Sequence, residues 1–248
     1  PRANSFPELE RRDLILAAGQ DPQGADWVGA CGIYMGSFLA PFLAIPATGQ
    51  PAGFRYHEFF RIEDSRIVEM QAIWDLPELM MQAGVWPMGP SLGRDWLVPG
   101  PASQDGLADH ADTKQAEQAL QIVLEMLAKL TRHPQEGGPE IMQLEKFWHP
   151  HLSWYGPAGI GTARGINGFR AFHQIPFLAG MPDRRGGSQG LHKAHFFAEG
   201  PYVAVTGWPN MQAHLSGDGW LGMIPAGQKI TLRSLDFWRV EKGLIREN

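Results

Sequence analysis

Apolar and polar positions alternate along much of this chain, and the period of the alternation changes along it. Trp27 to Phe38 is a run of mixed burial that predicts a strand. Pro46 to Pro51 supplies a bend. Ala52 to Ile62 and Arg66 to Trp74 predict a hairpin joined through Glu63-Asp64-Ser65. Asp75 then predicts a helix cap, with Glu78 at the capping-box position and Gly84 as the stop. From Asp112 the period becomes helical: Ala116, Ala119, Leu120, Val123, Leu124 and Leu127 form one stripe. A second helix is expected from about Pro139 to Trp148, ended by His149-Pro150. A short strand from His151 to Tyr155 and a loop from Gly156 to Gly165 follow. A third helix is expected from Gly168 to about Leu178, bent or broken at Pro176. Strands are expected at 191–198, 202–214 and 230–240. Helices followed by an antiparallel sheet make an α+β pattern, and a curved sheet wrapped over helices leaves a cavity between them.

The strands repeat. Ile45-Pro46-Ala47-Thr48-Gly49-Gln50 returns as Ile224-Pro225-Ala226-Gly227-Gln228, one residue shorter. Beyond it Arg55 matches Arg233, a shift of 233 − 55 = 178. At that shift Glu58 meets Asp236, Phe59 meets Phe237, Phe60 meets Trp238, Arg61 meets Arg239, Ile67 meets Ile245 and Glu69 meets Glu247. Upstream, Trp27-Val28 matches Tyr202-Val203 and Gly32 matches Gly207, a shift of 207 − 32 = 175. Two copies of one domain are therefore expected, over 1–88 and 112–248, joined by a linker over 89–111 in a stretch rich in Pro, Gly and Asp. Both copies are expected to be incomplete. The first begins too late to hold the leading helices of the second. The second stops at Asn248, before a counterpart of Trp74-Asp75-Leu76-Pro77. The chain starts at Pro1 rather than Met, so it reads as a fragment.

Composition narrows the function classes. Of 248 residues, 44% are hydrophobic and 19% charged, an ordinary globular balance. No apolar run reaches the ~18 residues of a transmembrane helix, so no membrane partner is expected. A net charge of −5 without a basic stripe argues against nucleic acid. Cys31 is the one cysteine and sits in an apolar run, which reads as a buried, inert thiol in a reducing cytoplasm. Nine Trp and thirteen Phe suit either cores or ligand pockets.

Several segments resemble one family. Phe147-Trp148-His149-Pro150, Trp154-Tyr155-Gly156-Pro157, Val203-Ala204-Val205-Thr206-Gly207 and Asp236-Phe237-Trp238-Arg239-Val240 are similar to segments of the SnoaL-like polyketide cyclases. So are Phe60-Arg61-Ile62-Glu63-Asp64 and Trp74-Asp75-Leu76-Pro77. These cyclases belong to the nuclear transport factor two-like superfamily. The resemblance implies a cone of helices and curved sheet, a pocket for a small hydrophobic or polyketide-like molecule, and chemistry without a cofactor. It also implies pairing through the sheets, here as an intramolecular pseudo-dimer or a homodimer. In those cyclases a pocket histidine stands where Glu58 and Asp236 stand. Their acid/base aspartate lies on the next strand, at the position of Ala72 in the first copy and beyond Asn248 in the second.

The residues themselves point to where chemistry could reside. Ile230, Leu232, Ser234, Asp236, Trp238 and Val240 share one strand face; Ala52, Phe54, Tyr56, Glu58, Phe60 and Ile62 share the matching one. Each face is apolar around one carboxylic acid. Such an acid must find a partner or hold its proton, so Asp236 and Glu58 are candidate acid/base residues. The alternative is a structural ion pair with Arg164 or Arg233. His173 lies between Phe169 and Phe177 at helical spacing and could assist Asp236, or be a satisfied core histidine. Trp154, Tyr155, Trp220, Trp238 and Tyr56 are expected pocket walls, and His195 is expected to touch the cavity. His149, His151, His192 and His195 fit no ligand spacing, so no metal is expected. The glycines of 156–165 are not followed by a phosphate-loop Gly-Lys-Ser/Thr. The readings left standing are an acid/base cyclase or isomerase, a non-catalytic binding or scaffolding module, and an epoxide or ester hydrolase.

Overall fold

In the computed structural model, which describes residues 2–184, 194–209 and 211–248, the alternation of the first third becomes four antiparallel strands in chain order. After a short helix, α1 (Arg2–Ser5), these are β1 (Glu10–Gln20), β2 (Asp26–Ser37), β3 (Pro51–Glu63) and β4 (Arg66–Trp74). β1 has no counterpart among the expected elements. Its apolar residues are bunched rather than alternating, and a register shift between Asp13 and Ile15 disturbs its ladder. Asp75 caps α2 (Leu76–Gln82) by accepting from the Glu78 amide. Glu78 does not return the capping-box bond: its carboxylate accepts from the Arg55 amide instead, at 2.8 Å. Above the sheet, Phe6, Phe38, Phe42, Phe54, Tyr56 and Leu79 fill the space, with Phe6 stacked on Phe38 at 4.7 Å.

The second copy opens with α3 (Thr113–Leu130), capped by Asp112, which accepts from Gln115. The helix expected over 139–148 is instead two short 3₁₀ turns, Pro139–Met142 and Leu144–Lys146. Gln143 between them has φ 49°, which no α-helix tolerates. The strand that follows starts early, as β5 (Trp148–Tyr155), and β6 (Thr162–Arg164) pairs with it. The third helical stretch runs over 165–180 as α4 (Gly165–Phe169), a π-helical turn (Arg170–Gln174) and α5 (Ile175–Gly180). Pro176 has no N–H for the regular ladder, and the wider π turn lies one turn before it. The strand expected from 191 is described from Ala194, as β7 (Ala194–Glu199); Leu191 and His192 lie outside the described residues.

Two further expected strands are each cut in two. The stretch 202–214 becomes β8 (Tyr202–Gly207) and β9 (Met211–Leu215), with Pro209 between them lacking a ladder donor. The stretch 230–240 becomes β10 (Gln228–Leu232) and β11 (Asp236–Glu241), separated by Arg233-Ser234-Leu235. β12 (Leu244–Glu247) completes a six-stranded sheet of order β6-β5-β12-β11-β8-β7, and β9 and β10 form a separate ribbon. In the first copy the matching hairpin of β2 and β3 runs unbroken from Asp26↔Ile62 to Ser37↔Pro51. The repeat holds down to individual pairs: Ala30↔Glu58 in one copy is Val205↔Asp236 in the other.

α3 packs Ala119, Val123 and Met126 against the six-stranded sheet, over Phe196, Val203, Val205 and Trp238. The opposite face of that sheet meets the first copy. There Trp27, Cys31 and Phe59 pack with Phe197, Ala204, Leu235 and Phe237. Phe59 stacks on Phe237 at 5.2 Å, and the two are equivalent in the repeat, 237 − 59 = 178. Gly29 is needed at this seam: a Cβ there would sit 3.0 Å from the rings of Phe59 and Phe197 and 3.1 Å from Phe237. Burial pushes the Cys31 thiol up to about 12, so it is an unreactive core group. No helix among the described residues is long and apolar enough to cross a membrane.

Candidate functional site

The breaks in the second copy open a cavity of about 470 Å³ between α3, the α4–α5 stretch, the six-stranded sheet and the β9–β10 ribbon. Strand alternation decides which side chains reach it. Ala194 and Phe196 of β7 face the cavity, whereas His195 and Phe197 face the first copy. Trp154, Tyr155, Trp220 and Trp238 all line it, as does Trp148. The ribbon closes one side through a cluster of Met181, Ala213, Leu215 and Trp220.

Asp236 opens β11 and lines the cavity. It is half-buried, and its surroundings are protein rather than bulk water. Burial pushes its pKa up to about 6, partly offset by hydrogen bonds with Ser234 and Asn248. The ion pairs considered from sequence are absent among the described residues. Arg164 donates to Ser153 at 2.7 Å, and Arg233 donates to Gln71 at 3.2 Å.

His173 also lines the cavity, in the π turn. Its ring stacks on Trp154 at 4.4 Å and lies 5.3–5.4 Å from the rings of Phe169 and Phe177. The Nδ1 atom is buried without a hydrogen-bond partner among the described residues. Burial, and then the charge of Arg184, push the imidazole down to about 3, so it is neutral at any ordinary pH.

Two expected site residues, Glu58 and His195, are placed elsewhere, and a third, Tyr56, stays at the cavity with its hydroxyl engaged. Glu58 is buried and closed off: it takes hydrogen bonds from Arg11 at 2.5 Å, Tyr34 at 2.9 Å and the Trp74 indole at 2.9 Å. It stands away from the cavity because the first copy is filled by aromatic rings where the second is open. His195 pairs with Asp21 at 2.6 Å and lies against Trp27 at 4.9 Å, in the seam between the copies. Tyr56 does border the cavity, but its hydroxyl donates to Asp13.

Residues that sequence reasoning passed over complete the wall. His57 of β3 reaches across the seam, lines the cavity, and donates from Nδ1 to the carbonyl of Leu235. A carbonyl can only accept, so this ring carries its proton on Nδ1. Burial drives its pKa down to about 4, and Arg55 adds to the effect. Arg55 itself clamps the rim loop: it donates to the Gly156 carbonyl at 3.0 Å and to Asp75 at 2.8 Å, while Asp75 accepts from the Ala158 amide at 2.8 Å. Arg184 and Arg233 line the same cavity. Among the described residues, no cluster of His, Cys, Asp or Glu has the makings of a metal site. The arrangement can hold an apolar molecule and exchange a proton with it near neutral pH.

Residues 20–83 match the family model described as SnoaL-like polyketide cyclase, and residues 137–248 match the one described as SnoaL-like domain. Among solved structures the chain is similar to a protein of Jannaschia sp. CCS1 assigned as a SnoaL-like polyketide cyclase. The identity is 20% over 54% of this chain and 85% of that one, with a TM-score of 0.38. It is also similar to AclR of Streptomyces galilaeus, assigned as a hydroxylase, at 21% identity over 36% of this chain and 56% of that one, TM-score 0.31. A third is IdmH of Streptomyces antibioticus, assigned as a polyketide cyclase, at 25% identity over 34% and 56%, TM-score 0.28. The chain thus spans little more than half the length of AclR and of IdmH. No curated protein matches it in sequence.

Proposed function

Since the chain carries two SnoaL-like domains in tandem, we propose that the second is a small-molecule site doing acid/base chemistry without a cofactor, of the cyclase or isomerase type. The substrate class is a hydrophobic, polyketide-like carbonyl compound. The observation that carries this reading is Asp236: a carboxyl with its pKa pushed up to about 6, lining an aromatic cavity, with no cationic partner among the described residues. At that pKa both its forms are present near neutrality. The carboxylate takes a proton from the carbon next to a substrate carbonyl, and the electron pair moves onto the carbonyl oxygen as an enolate. The new carboxylic acid returns that proton to oxygen or to a different carbon, which leaves the enzyme unchanged and the substrate isomerised. His173, neutral and stacked on Trp154, assists as a fixed wall that orients the carbonyl.

A non-catalytic reading suits the first copy, whose acid is sequestered by Arg11, Tyr34 and Trp74. We propose that this copy is the buttress of an intramolecular pseudo-dimer. The test is an NMR titration of the Asp236 carboxyl in the free chain and with a panel of apolar ketones, lactones and epoxides, with Asp236→Asn as control. A midpoint near 6 that moves on ligand addition supports the reading. An ordinary midpoint that ignores every ligand sinks it and leaves a binding scaffold.

A further inference from the structure

The cavity wall holds a charge that the proton chemistry of Asp236 does not use. Arg184 and Arg233 both line it, and no carboxylate pairs with either among the described residues. The contrast with their neighbours is sharp. Arg55 is neutralised by Asp75 and Glu78, and Arg239 by Glu241 and Glu247. In Arg184 and Arg233 the Nε atom is buried and, among the described residues, makes no hydrogen bond; Arg239 also has an unpartnered nitrogen, so it is the lack of a carboxylate that sets these two apart. Each guanidinium faces an aromatic ring: Arg184 that of Phe177 at 6.0 Å, Arg233 that of Trp208 at 5.5 Å. Among the described residues Arg233 donates to Gln71 of the first copy, at 3.2 Å.

Both side chains are only half-buried, and withdrawing part of a guanidinium from water without a counter-ion still carries a cost that a cation–π contact offsets only in part. A methionine or leucine would line an apolar pocket more cheaply. Two such groups lining one cavity fit a counter-ion that arrives with the ligand. Arginine is the side chain suited to this, because its planar fork matches an oxyanion and its hydrogen bonds to one are charge-assisted. The nearby His173 cannot serve as that counter-ion, being neutral or positive in every state.

We propose that the ligand of this cavity is an acid, an aromatic or polyketide-like body bearing a carboxylate or an ionised enol or phenol, whose oxyanion is bound by Arg184 and Arg233. The inference rests on the second copy's cavity being the ligand site and names the class of molecule it takes. The aromatic body lies against Trp154 and Trp220. The oxyanion is held by the arginines, so that Asp236 is left to the proton.

The test uses two probes of nearly one shape, 2-naphthoate and 2-acetylnaphthalene, titrated into the full chain by calorimetry. The acid should bind at least about tenfold more tightly than the ketone, the factor expected of one charge-assisted pair. Arg233→Gln and Arg184→Gln should each weaken the acid about tenfold and leave the ketone within about twofold. Arg184→Lys should recover part of the loss, which a fold defect would not. Equal binding of the two probes, or equal losses for both in the variants, overturns the inference and leaves the pocket reading intact. If neither probe binds, both are overturned.

Discussion

His57 and Leu235 occupy the same position in the two copies, 235 − 57 = 178 residues apart, and they touch: the imidazole Nδ1 of one donates to the carbonyl of the other. Two residues further on, Phe59 and Phe237 do the same with their rings. Equivalent residues meeting each other is what an approximate two-fold relation between halves produces at its axis. Leu235 directly precedes Asp236, so the first copy holds the segment that carries that acid.

The contact should be measurable through Asp236. His57→Phe leaves the Leu235 carbonyl buried without its donor and should cost about 1–3 kcal/mol in urea unfolding. His57→Asn keeps an N–H near the place of Nδ1 and should recover part of that. In a carboxyl NMR titration the Asp236 midpoint should move in the Phe variant and stay close to wild type in the Asn variant.

Asp236 should destabilise the fold where it is ionised. Its folded pKa is raised, to about 6 from an ordinary 3.8. The native state therefore binds more protons than the unfolded state between those values, and stability falls as pH rises through that window. Asp236→Asn should be more stable than wild type by about 1–3 kcal/mol at pH 8, with the gain vanishing near pH 3.5. A variant that loses stability at pH 8 would count against a poised acid.

His173 and His57 give the opposite sign. Their folded pKa values are lowered, to about 3 and about 4, by burial. The unfolded chain binds protons that the native state refuses, so stability is whole above pH 6.5 and is lost as pH falls towards 4. Thermal unfolding of His173→Phe should show a shallower decline than wild type between pH 6.5 and 4.

Glu58 should matter for folding and little for the cavity. Glu58→Ala leaves Arg11, Tyr34 and Trp74 without their common acceptor and should cost about 3–5 kcal/mol. Binding of an aromatic probe, read by calorimetry on the folded fraction, should stay within about twofold.

Gly29 should be intolerant of a side chain. With three ring atoms 3.0–3.1 Å from its Cβ position, Gly29→Val should destabilise by about 1–3 kcal/mol, checked by urea unfolding.

Much of the fold was legible in the sequence because the repeat keeps its register within each strand, at a shift of 175 over β2 and 178 over β3. Those two shifts carry the pair Ala30 and Glu58 onto the pair Val205 and Asp236. The face of Trp238 followed from strand alternation, and the place of His173 among rings from its helical spacing with Phe169 and Phe177. The interruptions were harder. Pro209 inside an apparent strand was a warning, but nothing about Arg233-Ser234-Leu235 separates a strand break from a continuation. The faces were hardest of all. Alternation puts His195 opposite Phe196 without saying which of them meets the other copy. Glu58 was expected in a pocket, and its neutralising Arg11 belongs to a strand whose bunched apolar residues gave no period to read.

A symmetric homodimer is bound by a rule of inheritance: whatever side chain stands at its axis stands there twice. The meeting of His57 with Leu235 breaks that rule, and it can do so because both positions are encoded separately in one chain. A single substitution alters one side of the axis and leaves the other as it was. One copy is thereby released to trade its cavity for a solid aromatic core, while the other keeps an opening and borrows a histidine from its neighbour.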